Sequence, residues 1–208
     1  MSKNKKRTSG RRSDHTREEI QELALVAAEQ IVEEEGLSGL SARKIANAIG
    51  YNVAMIYHIF NNLDDLILHA NARTLAKLYI ALQQSSSKCR APRTCLIAVS
   101  HAYIDFAEQH RNLWNMIYEH VLEDDTSKPA WYQSKVDRVF ILIEELIQPL
   151  SENLNQRQIE QAAQTLWCGV HGICILTMTK KLDLSVKDMK SMSESLINNY
   201  LTGLLNNN

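Results

Sequence analysis

The sequence predicts an all-α fold of about nine helices, an N-terminal three-helix unit with a helix-turn-helix followed by a C-terminal helical bundle. Three observations carry this. Only three Pro and seven Gly interrupt 208 residues that are 45% apolar, a balance unlike disordered, collagenous or sandwich-forming chains. Apolar residues recur at helical spacing, and no segment alternates as a strand does. Capping residues punctuate that pattern at intervals suited to separate helices.

Thr16 with Glu19 makes a capping box, and Ile20, Leu23, Ala24, Ala27 and Ile31 then repeat on one face until Gly36 stops a helix over residues 17–35. Ser41 caps a short second helix with Ile45, Ala46 and Ile49 inward, ended by Gly50. Asn52 caps a third, running to Phe60 with Ile56, Ile59 and Phe60 apolar. Ala46 and Gly50 are small where two crossing helices must approach, as a helix-turn-helix requires. Asn62 with Asp65 opens a long fourth helix to about Gln84, and Ser85, Ser86 and Ser87 read as a loop. Beyond Pro92 the pattern gives helices near 93–109 and 111–122, a polar break from Glu123 to Pro129, then helices near 129–149, 156–181 and 186–205. The expected organisation is a basic disordered arm over 1–15, a helix-turn-helix unit over 16–62, a connecting helix over 63–85 and a larger helical domain over 86–208.

Charge is unevenly spread. Residues 1–17 carry seven cations against Asp14 alone, which leaves residues 18–208 at −7 of the overall −1. A basic arm on an acidic body suits a polyanion met by one end of the molecule, although a plain solubilising leader has the same composition. No apolar h-region follows the arm, and the longest apolar stretch, Trp167 to Met178, is too short to span a bilayer and contains His171. A cytoplasmic protein is expected. Cys89, Cys95, Cys168 and Cys174 have no zinc-site spacing and read as small core residues in a reducing compartment, with neither metal nor cofactor implied.

The stretch from Ser41 to Leu66, SARKIANAIGYNVAMIYHIFNNLDDL, resembles the DNA-binding module of TetR-family regulators, with Ile45-Ala46, Ile49-Gly50, Ile56 and Tyr57-His58-Ile59-Phe60 in matching places. The likeness extends over residues 16–70. It implies a homodimeric repressor that binds a palindromic DNA operator, its two recognition helices one turn apart, roughly 34–36 Å, and that a small-molecule effector releases. DNA-contacting candidates are Arg43 and Lys44 on the second helix with Asn52, Val53, Ala54, Met55, Tyr57 and His58 on the third. The resemblance assigns Tyr57 and His58 to phosphates and the start of the third helix to base edges. Asn52-Val53-Ala54-Met55 is less polar than the family pattern, so readout rests on Asn52 hydrogen bonds and apolar contact with thymine methyls.

Further on, Leu166 to Gly172 resembles the Trp-x-x-x-His-Gly signature of one C-terminal subtype of the family. Trp167 and His171 fall one helical turn apart, and Gly169 and Gly172 each cost about 1 kcal/mol against Ala, which asks for a packing reason. In the family the last two helices form a four-helix bundle with their symmetry mates; Gly169, Gly172, Leu196, Ile197 and Tyr200 are the dimerisation candidates, with own-core packing the alternative for each. His101, Trp114, Tyr118, Trp167 and His171, with Tyr103 and Trp131 beside them, put more aromatic and polar groups on the middle helices than a plain bundle core needs, and are candidates for lining an effector cavity. The long fourth helix, reaching from the DNA-binding unit to the effector half, is the expected lever. Two alternatives stand: a helical dimeric sensor or partner-binding protein without specific DNA binding, and an enzyme. For catalysis the best sets are Cys168, His171 and Cys174, which spread around a helix by about 60° per step, and His101 with Asp105, which has no nucleophile in a matching motif.

Overall fold

A computed structural model describes residues 15–122, 128–150 and 153–206 of the chain. The described residues form nine α-helices and two short 3₁₀ turns: α1 Arg17–Glu35, α2 Ala42–Ala48, α3 Val53–Ile59, α4 Leu63–Ser86, α5 Pro92–Gln109, α6 Arg111–Glu119, α7 Ala130–Ile147, α8 Gln156–Met178 and α9 Val186–Asn206. The all-helical expectation therefore holds, and residues 1–14 of the basic arm lie outside the described residues.

The caps at Thr16, Ser41, Asn52 and Asn62 act as the sequence indicates, and Asn155 adds one that it did not single out. Thr16 and Glu19 complete a reciprocal capping box, and the side chains of Ser41, Asn52, Asn62 and Asn155 accept from the backbone N–H groups of Lys44, Met55, Asp65 and Gln158. Gly50 is needed for its φ of +74° and not for crowding, since a Cβ there would meet nothing within 4 Å. Helix ends differ by a few residues from expectation. Ser85 and Ser86 remain helical because Ser85 Oγ donates to the Ala98 carbonyl across the α4–α5 corner (2.8 Å). α8 stops at Met178, followed by Lys180 at φ 57°.

Two larger cores lie along α4. The N-terminal one gathers Ala24, Ala28, Val32, Ile45, Ile56 and Phe60 with Leu66 and Ala70 from the first half of α4. The C-terminal one gathers Leu78 and Leu82 from its second half with Val99, Ile104, Val139, Val170 and Met189, and a neighbouring cluster joins α5, α7, α8 and α9. α6 belongs to both: Leu113 and Met116 enter the N-terminal core, while Trp114, fully buried, enters the C-terminal one. Ion pairs fasten α1 to α4, with Glu29, only 8% exposed, accepting from Arg73 Nε and Lys77 Nζ while Arg73 also reaches Glu22.

The cysteines depart from expectation. Cys89 and Cys95 are joined as a disulfide across the α4–α5 corner, Cys168 is exposed, and only Cys174 is a free core thiol. Burial, then the nearby Glu108 carboxylate, pushes the Cys174 thiol up to about 12, so it stays protonated.

Candidate DNA-binding surface and effector cavities

α2 and α3 cross over the turn at Gly50, and Ala46, Ile56 and Ile59 face inward. That leaves Asn52, Ala54, Tyr57 and His58 exposed on α3, with Tyr57 at 51%. Val53 and Met55 are only half-exposed and pack on the N-terminal core, a correction to a recognition helix that turns both outward. The reason is length: a seven-residue helix has few turns, so positions beside Ile56 and Ile59 are drawn into the same apolar contact. Asn52 Oδ1 accepts from Met55 N–H (2.9 Å), so the side chain caps α3 and has its amide N–H groups left to offer a base. Arg43 is exposed on α2, whereas Lys44 pairs with Glu35 (2.5 Å). Arg17 Nη2 donates to the Ile59 carbonyl (3.1 Å), and His15 Nδ1 lies 2.9 Å from Tyr51 Oη, so the chain enters the structure beside α3.

In the C-terminal half four predicted residues meet around one hydroxyl. Tyr103 Oη receives the Trp114 indole N–H (3.0 Å) and lies 3.1 Å from Tyr118 Oη and 2.8 Å from His171 Nδ1. Burial holds Tyr103 well above its usual range and pushes Tyr118 to about 12, while burial lowers His171. All three are neutral near pH 7, a hydrogen-bonded group without net charge. Trp167 packs edge-on to the Tyr103 ring at 4.6 Å and contacts Phe140 at 5.5 Å.

Two cavities share Trp167 as a wall. One, about 30 Å³, lies among Leu82, Val99, Tyr103, Ile143, Leu166 and Val170. The other, about 100 Å³, lies among Tyr118, Lys128, Tyr132, Val139 and Phe140. Thus Tyr103, Tyr118 and Trp167 line cavity space, while Trp114 and His171 stand one layer behind as supports. His101 points away: its Nε2 is 3.3 Å from the Lys190 carbonyl on α9, beside the Asp105–Lys190 ion pair. Trp131, 39% exposed, stacks on His69 (4.5 Å) instead. Among the described residues no three His, Cys, Asp or Glu side chains gather as a metal site, and no helix is long and apolar enough to cross a membrane.

The dimerisation candidates separate. Ile197 is buried in the chain's own core with Leu96, Ile143 and Leu166, and Gly169 is filled by Leu196 of α9. Gly172 faces open space, continuing an outward stripe of Cys168, Gly172 and Leu176 on α8, while α9 carries exposed Met192 and half-exposed Tyr200. The sequence reading missed Leu176, Met192 and the joining role of α6. The four-residue spacing of Cys168, Gly172 and Leu176 along α8 was the available signal for the first, whereas the allegiance of α6 depends on contacts distant in sequence.

Comparison with known proteins agrees with this geometry. A family profile described as "Bacterial regulatory proteins, tetR family" matches residues 24–70, and one described as "Tetracyclin repressor-like, C-terminal domain" matches residues 96–200. The HTH-type transcriptional regulator YobS of Bacillus subtilis strain 168, itself uncharacterized, is 24% identical over 190 residues, 90% of this chain and 94% of that protein. A protein of unknown function from Rhodococcus sp. RHA1 superposes with a TM-score of 0.72 at 19% identity, covering 92% of this chain and 97% of that one. The transcriptional regulator FadR from Bacillus subtilis, solved in complex with stearoyl-CoA, gives 0.68 at 14% identity, covering 88% and 98%. The two solved structures speak to fold alone, but the profiles cover both halves, the second of them just over half of the chain: the chain belongs to the TetR family of bacterial regulatory proteins.

Proposed function

We propose that the chain is a homodimeric repressor that binds a palindromic operator through α2 and α3 and is released by a largely apolar small molecule held between α4, α6, α7 and α8. The observation that carries this is the double membership of α6. Leu113 and Met116 sit in the core beneath the DNA-binding helices, and Trp114 and Tyr118 on the same nine residues reach the hydrogen-bonded group beside the cavities. A ligand that displaces Tyr118 or Trp167 therefore moves a helix that the DNA-binding unit rests on.

Residues 16–62 then read DNA, 63–85 connect, and 86–208 bind the effector and pair the subunits, with α6 joining α4 as a lever. The Trp-x-x-x-His-Gly subtype is supported by Trp167 and His171 flanking the same Tyr103 ring. An acyl-CoA occupies one structurally similar regulator, and the apolar lining here suits a hydrocarbon portion. Cavities of about 30 and 100 Å³ are too small for one as they stand, so the bound form requires Trp167 to swing and merge them. Release follows only if the ligand favours the DNA-incompetent arrangement by several kcal/mol. Pairing through α8 and α9 is supported by the stripe at Gly172 and Leu176 and by exposed Met192.

All three tryptophans lie in the C-terminal half, so their fluorescence reports on the cavities. A panel of fatty acids, acyl-CoAs and aromatic drugs is titrated against emission and against mobility of the chain's own promoter DNA. A ligand that quenches emission and releases DNA at matching concentrations supports the reading. Promoter binding that no ligand affects overturns induction, and absence of promoter binding favours a helical sensor without DNA contact. Sedimentation of Leu176→Glu and Met192→Glu tests the dimer, which should dissociate or aggregate.

A further inference from the structure

We infer that Cys89 and Cys95 are a reversible oxidation site, an intramolecular thiol–disulfide pair that reacts with peroxide-class oxidants and locks the corner between α4 and α5. The two Cα atoms stand 5.4 Å apart and the sulfurs are bonded, a separation within the range disulfides adopt without backbone movement. Their settings differ in the way a reactive pair requires. Cys89, in the turn after α4, is half-exposed and flanked in sequence by Lys88 and Arg90, while Cys95 is buried in the first turn of α5. One thiol is open to an oxidant and the other is shielded beside it as the resolving partner.

The corner does not need the bond to hold. Ser85 Oγ already donates to the Ala98 carbonyl, and Leu82, Leu96 and Val99 are buried around it. A disulfide in a DNA-binding regulator sits where thiols are ordinarily kept reduced, and there such bonds are transient and redox-sensing; this step rests on the reading of the chain as a DNA-binding protein. In the forward reaction the Cys89 sulfur attacks hydrogen peroxide, the O–O bond breaks, and a sulfenic acid and one water form. The Cys95 sulfur then attacks the Cys89 sulfur and expels a second water. Two thiols are oxidised by two electrons and one peroxide is reduced; a dithiol reductant reverses the change. The locked corner terminates the helix that Arg73 and Lys77 fasten to α1.

The full-length protein is reduced, treated with hydrogen peroxide, alkylated and digested with trypsin. Cleavage after Lys88, Arg90, Arg93 and Arg111 puts Cys89 and Cys95 on separate peptides, apart from the one that holds Cys168 and Cys174. The expected result is a Cys89–Arg90 peptide linked to the Thr94–Arg111 peptide, opened again by dithiothreitol, with Cys168 still alkylatable. In parallel, amide hydrogen exchange across residues 86–98 should slow in the oxidised form, and Cys89→Ser, at a half-exposed turn position that folding tolerates, should abolish that difference. Cys95→Ser should retain a Cys89 sulfenic acid that a dimedone probe labels. The inference is overturned by Cys89 and Cys95 that both stay alkylatable after peroxide, by linkage through Cys168 to a second chain, by a bond that dithiothreitol cannot open, or by unchanged exchange. No arm uses DNA, so a failure here and a failure of operator binding are told apart.

Discussion

Gly169 on α8 and Leu196 on α9 approach so closely that a Cβ at residue 169 would sit 2.4 Å from Leu196 Cδ2. Gly169→Ala should therefore make the end of the Leu196 side chain move, a repacking cost set against about 1 kcal/mol of helix propensity gained. Gly172→Ala meets nothing within the chain and, if the subunits did not pair there, should gain up to about 1 kcal/mol of helix propensity. Urea denaturation and sedimentation of both variants check this. Loss of dimer in Gly172→Ala with an intact monomer fold places a partner helix against residue 172, and a Gly169→Ala gain as large as that of Gly172→Ala in a monomer would contradict the packing described.

Asn52 caps α3, and the proposed reading of DNA gives it a second duty that can be separated from the first. Asn52→Ala loses the cap on α3, worth about 1 kcal/mol, and also any base contact. Asn52→Ser keeps a capping oxygen and shortens the reach toward DNA. Both should lose discrimination between operator and scrambled DNA in a mobility-shift titration, while only the alanine variant should also lower the denaturation midpoint. Operator preference retained in the serine variant would remove Asn52 from readout.

Acid stability should depend on Arg73. Its guanidinium holds the Glu22 carboxylate below the ordinary 4.5. On acidification the unfolded chain binds that proton first, so the contribution is complete above pH 4.5 and fades as pH falls through the lower folded value. Arg73→Met should flatten the acid limb of a stability-against-pH curve and also leave Glu29 with Lys77 as its remaining ion-pair partner. An unchanged acid limb would mean that the pair contributes nothing measurable, as exposed pairs often do.

His171 is lowered as Glu22 is, but here the form the fold favours is the neutral one. Burial lowers it from 6.5, so below that value the unfolded imidazole takes up a proton that the folded one refuses. Stability should rise with pH across the window between the folded value and 6.5 and level off above it. His171→Gln should remove that slope in thermal melts taken from about pH 5 to 7. A slope that survives the substitution would mean that His171 does not carry it.

Much of this arrangement was legible in the sequence wherever the cause is local. The capping box at Thr16 and Glu19, the caps at Ser41, Asn52 and Asn62 and the left-handed stop at Gly50 each depend on residues within a few positions. Distant partners were not legible. Nothing around Glu29 announces Arg73 and Lys77 over forty residues away, and the six-residue spacing of Cys89 and Cys95 carries no signal until the corner at Pro92 folds them together. The aromatic and polar residues of the middle helices were recognisable as a set. Their division into cavity wall, supporting layer and surface was not, because it depends on which side of Tyr103 each one lands.

The placement of α6 also bears on how such proteins can be taken apart. A cut in the turn at residues 87–91 looks like a natural seam, with a complete helix on either side. Yet Leu113 and Met116 would then leave with the wrong fragment, and the N-terminal piece would keep a hole where two buried side chains had been. Grafting this DNA-binding unit onto another sensor would need α6, or a substitute with its two apolar faces, to travel with it. The boundary between the halves is a surface in space with no single crossing point along the chain.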